Sequence, residues 1–376
     1  MKTFLMGAVS AVALFAAGGA FAAGNSSTID QIGTFNNAAV DQTGSASDGV
    51  ATVTQSDSYN SANVTQGGAG NQAAVTQSNG AFGAVTNPSN VSNSNQQGQN
   101  GGLTVVQVGN STSTISQSSG SANEHALVGQ SGNSDAANIN QNGNAELAMV
   151  NQELGNGNSA AIAQAGTGNG VYVPSSSSVS GGGNLRWNEN VPGDSVLPGA
   201  SSGQTVYGPV GAFVDQLGSN ESGSISQSGF QNFADVAQGN DAGGAFNAGS
   251  ITQGGGMVQS DAVMFQDGQF NIASIDQEGA GSSYSTIWQH GVSNQAYSSQ
   301  VGSETSKIEQ GFTDDNATEG ASVSGDYASV SQSGGGDSST VNQSGNNDTA
   351  LVSQLGANAT SSISQGGSFN TATVHQ

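Results

Sequence analysis

One glutamine recurs along almost the whole chain at a spacing of about eleven residues, most often closing a Val/Ile-x-Gln triplet. The series runs from Gln31 to Gln164, breaks, resumes at Gln216 and closes at Gln376. Two kinds of unit alternate. In the last pair, Ser361, Ile363, Gln365, Gly367, Asn370, Ala372, Val374 and Gln376 hold fixed places, and in the first pair Ser27, Ile29, Gln31, Gly33, Asn36, Ala38, Val40 and Gln42 hold the same ones. The period is therefore about 22 residues, read as strand, turn, strand, turn. A repeat of this length cannot bury an apolar face alone and has to stack on its neighbours. The fold class it predicts is all-β, a β-solenoid.

Within a unit the Ala or Ser, the Val or Ile, and the Gln sit two apart, so a strand turns them all to one face. That face carries the β-branched residues and is read as the interior. The residues between them (Asp30, Asp41, Thr54, Thr65, Thr76, Ser226, Asp276) are polar and face out. An inward Gln without partners would cost on the order of 1 kcal/mol or more. Stacked turn over turn at about 4.8 Å, each carboxamide can bond to the one above and the one below. Ladder positions are assigned at Gln31, Gln42, Gln55, Gln66, Gln77, Gln141, Gln152, Gln216, Gln227, Gln238, Gln277, Gln289, Gln300, Gln332, Gln343, Gln354, Gln365 and Gln376. Gln107, Gln117, Gln130, Gln164, Gln253, Gln266 and Gln310 close further units of the series. A single turn buries two aliphatic side chains, worth about 1.5–3 kcal/mol each. Ordering its residues costs about 1–2 kcal/mol apiece, so only a stack is stable.

The chain opens with Met1-Lys2, an apolar Ala-rich run from Phe4 to Phe21, and Ala20-Phe21-Ala22, the small-x-small pattern of a signal-peptidase site. Residues 1–22 are read as a secretory signal peptide, with no membrane span in the mature chain. Residues 23–165 form a first repeat block, expected to lose its alternation between Asn93 and Gly102, and 213–376 a second block. Between them, 166–212 holds four of the five prolines and a Gly-Gly-Gly run, and reads as a loop or linker. Beyond Lys2 the only basic residues are Arg186 and Lys307, against 26 acidic ones. A surface this acidic cannot neutralise phosphates, which argues against nucleic acid as a partner. Without cysteine, stability rests on packing and hydrogen bonds.

The paired unit Ser-x3-Gln-x-Gly-x-x-Asn-x-Ala-x3-Gln resembles the curlin repeat of bacterial curli fibres. Ser27 to Gln42 and Ser361 to Gln376 fit it fully. Gln289, Gly291, Asn294, Ala296 and Gln300 fit its second part, as do Gln343, Gly345, Ala350 and Gln354, with Asp348 in place of Asn. The resemblance implies a subunit of an extracellular, cell-surface amyloid fibre. Its partners would be further copies of itself, a curli-type outer-membrane secretion channel and a nucleator, and its roles biofilm matrix and adhesion. This chain is longer than a typical curlin subunit, and its repeats begin within a few residues of the expected cleavage.

Other chemistry finds little support. His125, His290 and His375 occupy different repeat positions, share no catalytic or metal-ligand spacing and read as exposed surface residues, so no catalytic, metal or cofactor site is expected. Acidic residues in turns, as in Gly334-Gly335-Gly336-Asp337 and Asp314-Asp315-Asn316, read as solvated charge. Gly166-x-Gly168-x-Gly170 lacks the helix a dinucleotide site needs. Aromatics before the turn Asn (Phe35, Tyr59, Phe270, Phe369) are expected to pack along one corner, whereas Phe265, Trp288 and Tyr297 read as isolated and exposed. The alternative function is a monomeric secreted β-solenoid that binds a surface, for which Thr54, Thr65 and Thr76 offer a short outward row. The final Gln376 completes a repeat with no cap after it, which favours polymerisation.

Overall fold

The structure is a computed structural model and describes residues 24–78, 89–118, 122–167, 169, 211–239, 245–311 and 324–376. The regular elements there are β1 (Ser26–Gln31), β2 (Asn37–Ser47), β3 (Val50–Gln55), β4 (Ser61–Ala69), β5 (Gln72–Ser78), β6 (Val91–Gln96), β7 (Gly102–Gln117), β8 (His125–Asn144), β9 (Leu147–Asn156), β10 (Ser159–Thr167), β11 (Gly211–Gln216), β12 (Ser222–Phe230), β13 (Phe233–Gln238), β14 (Ala248–Gln253), β15 (Asp261–Gln269), β16 (Ile272–Glu278), β17 (Tyr284–Val292), β18 (Gln295–Val301), β19 (Thr305–Gln310), β20 (Tyr327–Ser333), β21 (Ser338–Gln343), β22 (Thr349–Gln354), β23 (Thr360–Gln365) and β24 (Thr371–His375).

Pairing is parallel throughout, and a strand pairs with the next but one, as β1 with β3 and β2 with β4. Long β7 and β8 run round a corner and supply both arms of their turns. The result is a β-solenoid of about a dozen turns with two parallel faces, as the 22-residue period predicts. Register is held by alternation. In β15 the inward Ala262, Met264 and Gln266 are fully buried, and their partners on β17 are Ser285, Ile287 and Gln289. A slip of one residue would expose this row and bury the polar one. Small Ala, Ser or Gly beside Val or Ile lets the two faces close on a thin core, where Ala234, Val236, Ile275 and Ile308 are all inaccessible to solvent.

The loss of alternation expected between Asn93 and Gly102 does not occur. β6 keeps phase, with Ser92, Ser94 and Gln96 buried and paired to Ala62, Val64 and Gln66 of β4. Ser94 stands where other arms have Val or Ile, which removes the apolar signal but not the pleat.

The strands on either side of the Pro/Gly-rich segment meet directly. β9 pairs with β11 and β10 with β12, in unbroken register. Asn169 takes the corner place ahead of β11: its carbonyl accepts the N–H of Leu147 at 2.9 Å and its Oδ1 that of Asn232 at 3.1 Å. The stack thus runs through this point. The ends of the expected linker are strand, 166–167 belonging to β10 and 211–212 to β11; the rest of it, and the expected signal peptide, lie outside the described residues. Among the described residues no helix is long and apolar enough to cross a membrane.

Candidate functional site: the amide columns and the end turns

Each arm ends on its Gln at the point where the chain turns toward the opposite face, so the side chain reaches across the thin core. Its two methylenes allow the carboxamide to meet both the next turn and the facing strand. One N–H of each carboxamide donates to the Gln Oε1 one turn on. The column on one face runs Gln31, Gln55, Gln77, Gln107, Gln130, Gln152, Gln216, Gln238, Gln266, Gln289, Gln310, Gln343, Gln365, each Nε2 donating to the next Oε1 at 2.6–2.9 Å. The other face carries Gln42, Gln66, Gln96, Gln117, Gln141, Gln164, Gln227, Gln253, Gln277, Gln300, Gln332, Gln354, Gln376 at 2.8–3.1 Å. Every step points the same way along the axis.

The second N–H is used as well. Gln66 donates to the Val50 carbonyl at 3.1 Å, Gln238 to Ser222 at 3.0 Å, and Gln343 to Tyr327 at 3.1 Å, each at the start of the facing arm. A carboxamide has two donors, and one ties turn to turn while the other ties face to face. Leu would fill this space but leave the facing carbonyl unpaired. Asn is one methylene too short for the reach. All eighteen assigned glutamines stand in the two columns, and so does Gln96, which sequence reasoning missed because Ser94 disguises its arm.

A second ladder, also missed, runs up each corner. The residue before an arm is most often Asn, five after the preceding Gln: Asn36, Asn60, Asn71, Asn232, Asn271, Asn294 and Asn370. Its Oδ1 accepts the backbone N–H of the equivalent residue one turn on, as from Asn271 to Asn247 and from Asn294 to Asn271, both at 3.0 Å. The constant offset from Gln was the available signal. Asp337 belongs to this ladder and is buried, so it is not solvated turn charge; Asp314-Asp315-Asn316 lies outside the described residues.

The corner aromatics stack where turns adjoin. Phe35 lies on Tyr59 with centroids 5.0 Å apart, and Phe246 on Phe270 at 5.2 Å. All four hold a positive φ of 58–64°, and Phe369 stands alone at the last turn. Trp288 is buried, not exposed, beneath Lys307, whose Nζ is 5.8 Å from the ring centroid and 2.9 Å from Glu309. His290 and His125 are half-buried between turns, with His290 Nδ1 3.2 Å from Asp267. His375 is exposed. Thr54 and Thr76 pair on one outer face while Thr65 lies on the other, because successive arms alternate faces, so the three form no row.

Among the described residues the columns end at Gln31 and Gln42 on one side and at Gln365 and Gln376 on the other. Among the described residues β1 and β2 pair on one side only, as do β23 and β24. Among the described residues nothing donates to the Oε1 atoms of Gln31 and Gln42 in the first turn, and in the last the Nε2 atoms of Gln365 and Gln376 donate only to the Thr349 and Thr360 carbonyls of their own turns. Side chains there are uncovered, with Phe35 75% and Phe369 79% exposed.

No curated protein matches the chain. Residues 325–356, covering β20 and β22 with the strand and corners between, match the family model of the curlin associated repeat. The register of that unit is carried through every turn described, and the match at 325–356 supports a curlin-repeat protein.

Proposed function

We propose that this chain is a subunit of an extracellular, curli-like amyloid fibre that grows by end-on stacking of solenoids, serving biofilm matrix and cell adhesion. The observation that carries this is the unlike character of the two end turns. Acceptors at Gln31 and Gln42 face the same way that donors at Gln365 and Gln376 would approach. The flanking residues match place for place, Ile29 with Ile363 and Val40 with Val374. A second copy laid on β23 and β24 would continue both columns, the aliphatic core and the corner ring stack, with Phe369 over Phe35. Unpaired parallel edges of this kind template further strands. A dense negative charge keeps single chains apart before they dock. Export would use a curli-type outer-membrane channel, with a nucleator at the surface. The ladder glutamines have a structural role in this reading.

The test is thioflavin fluorescence and fibre diffraction on the purified mature chain, released from denaturant. Fibres with a meridional spacing of about 4.7–4.8 Å are expected. A chain that remains a folded soluble monomer for days at high concentration refutes self-templated growth and favours the surface-binding solenoid.

A further inference from the structure

The corner ladder contains residues that fit it only in one ionisation state. Where the rung is Asn, its carboxamide is fully used. Asn271 Oδ1 accepts the Asn294 N–H, and its Nδ2 donates to the carbonyls of Asp267 in its own turn (2.9 Å) and Gly291 in the next (3.1 Å). Asn71 does the same toward Gly101 N, Gly67 O and Gly98 O, at 2.8, 2.6 and 3.0 Å. The slot therefore offers one donor to an oxygen, and carbonyl oxygens to a donor.

Asp135, Asp326, Asp337 and Asp348 occupy this same slot, none more than 2% exposed. In each, Oδ1 does what Asn Oδ1 does, accepting from Asn158, Asp348, Ala359 and Asn370 at 3.0, 2.9, 2.8 and 2.7 Å. In each, Oδ2 is buried and has no hydrogen-bond partner. It stands where Asn carries its NH2, so an ionised carboxylate sets a charged oxygen in a place built for a donor. A protonated carboxyl restores the donor and reproduces the carboxamide.

We propose that the corner rungs Asp135 and Asp326 are proton-binding elements, neutral in the closed solenoid, so that the fold tightens as the medium turns acid and loosens as it turns alkaline. The surrounding charges act in the same sense. Asp326 and Asp348 sit on successive turns, Glu304 adjoins Asp337, Glu146 adjoins Glu124, and Glu221 faces Asp267. The basic side chains nearby are engaged elsewhere: His290 lies 3.2 Å from Asp267, Lys307 pairs with Glu309, and His125 starts the outer row of its arm, its own pKa lowered by burial. Burial raises Asp135 and Asp326 to about 6 and Glu221 to about 7; burial and then the Glu124 charge raise Glu146 to about 8. A carboxyl raised on folding binds its proton more tightly in the folded chain. Its stabilisation is complete below the unfolded value of about 4 and is lost as pH climbs through about 6 to 8. Each proton so held changes the folding equilibrium up to tenfold per pH unit.

The test needs the folded chain but no fibre, so it stands apart from the assembly proposal. The guanidinium midpoint of the full chain is followed by circular dichroism at about pH 5.5 and about pH 8.5. The midpoint is expected to fall at the higher pH. In a variant carrying Asp135→Asn and Asp326→Asn the fall should shrink, the alkaline midpoint rising toward the acid one. Removing the same charge from the exposed Asp30 and Asp48, each changed to Asn, should leave the fall intact. An unchanged wild-type midpoint, or a full fall in the corner variant, overturns the proposal. So does an alkaline midpoint that added calcium restores, which would give the slots to a cation. Should the variant not fold, infrared spectra of the wild type decide: a protonated-carboxyl band at the lower pH that vanishes on denaturation is expected, and its absence refutes the idea.

Discussion

Replacing Gln238 with Met isolates the hydrogen bonds of a column from its packing. Gln238 accepts from Gln216 Nε2 at 2.9 Å and donates to Gln266 Oε1 at 2.8 Å and to the Ser222 carbonyl at 3.0 Å. Methionine has nearly the same volume and flexibility, so the cavity left is small. What it removes is three partners at once: a donor on Gln216, an acceptor on Gln266 and the Ser222 carbonyl, all inside a dry core. At about 1–3 kcal/mol for each buried group left unmade, and with some relaxation, the loss is about 3–6 kcal/mol. Gln376→Met provides the comparison, since that exposed residue accepts from Gln354 at 2.9 Å and donates to the Thr360 carbonyl at 3.2 Å where water can replace both; its loss is about 1 kcal/mol or less. Guanidinium unfolding by circular dichroism measures both. A stack of near-identical turns behaves as a one-dimensional chain, so the interior lesion should also broaden or split the transition. If Gln238→Met costs no more than Gln376→Met, the columns are bystanders to packing and the reasoning fails.

Three further outcomes are expected. Ser94→Val, which restores the aliphatic row between Val64 and Ile115, should stabilise the chain by about 1 kcal/mol in the same unfolding assay. Phe246→Ala removes the 5.2 Å stack on Phe270 and should cost about 0.5–1.5 kcal/mol, read as a lowered melting temperature. Gly268 has φ +98°, and a Cβ there would come within 2.0 Å of the Gly291 carbonyl oxygen one turn on. Gly268→Ala should therefore cost about 2–4 kcal/mol; a neutral result by thermal melt would mean the corner is looser than described.

The period of the glutamines made the solenoid legible, because a residue whose amide must meet its equivalent one turn away cannot drift in register. Alternation did the same for the inward Ala and Val. What escaped notice did so for chemical reasons. Gln96 was hidden because Ser94 and Ser92 fill their slots without the apolar character that marks an arm. The corner ladder was hidden because Asn71, Glu221 and Asp348 do one job with three residue types, and only their fixed distance from the preceding Gln betrays it. Trp288 reads as exposed on any strand that alternates, and its burial beneath Lys307 depends on contacts outside its own arm. Continuity through the Pro/Gly-rich segment could not be read at all, since the partners of β11 and β12 lie more than fifty residues upstream.

The common direction of the Gln columns has an electrical consequence. Backbone N–H and C=O groups alternate in sense along every strand, so their dipoles nearly cancel along the axis. The carboxamides do not alternate: each Nε2 points toward the next Oε1, and two parallel files of them run the length of the molecule. Like the aligned peptides of an α-helix, they sum to an axial moment that lengthens with every subunit added. A filament built this way is a rod with a positive and a negative pole. Side by side, such rods lower their field energy by lying head to tail, which favours antiparallel bundles.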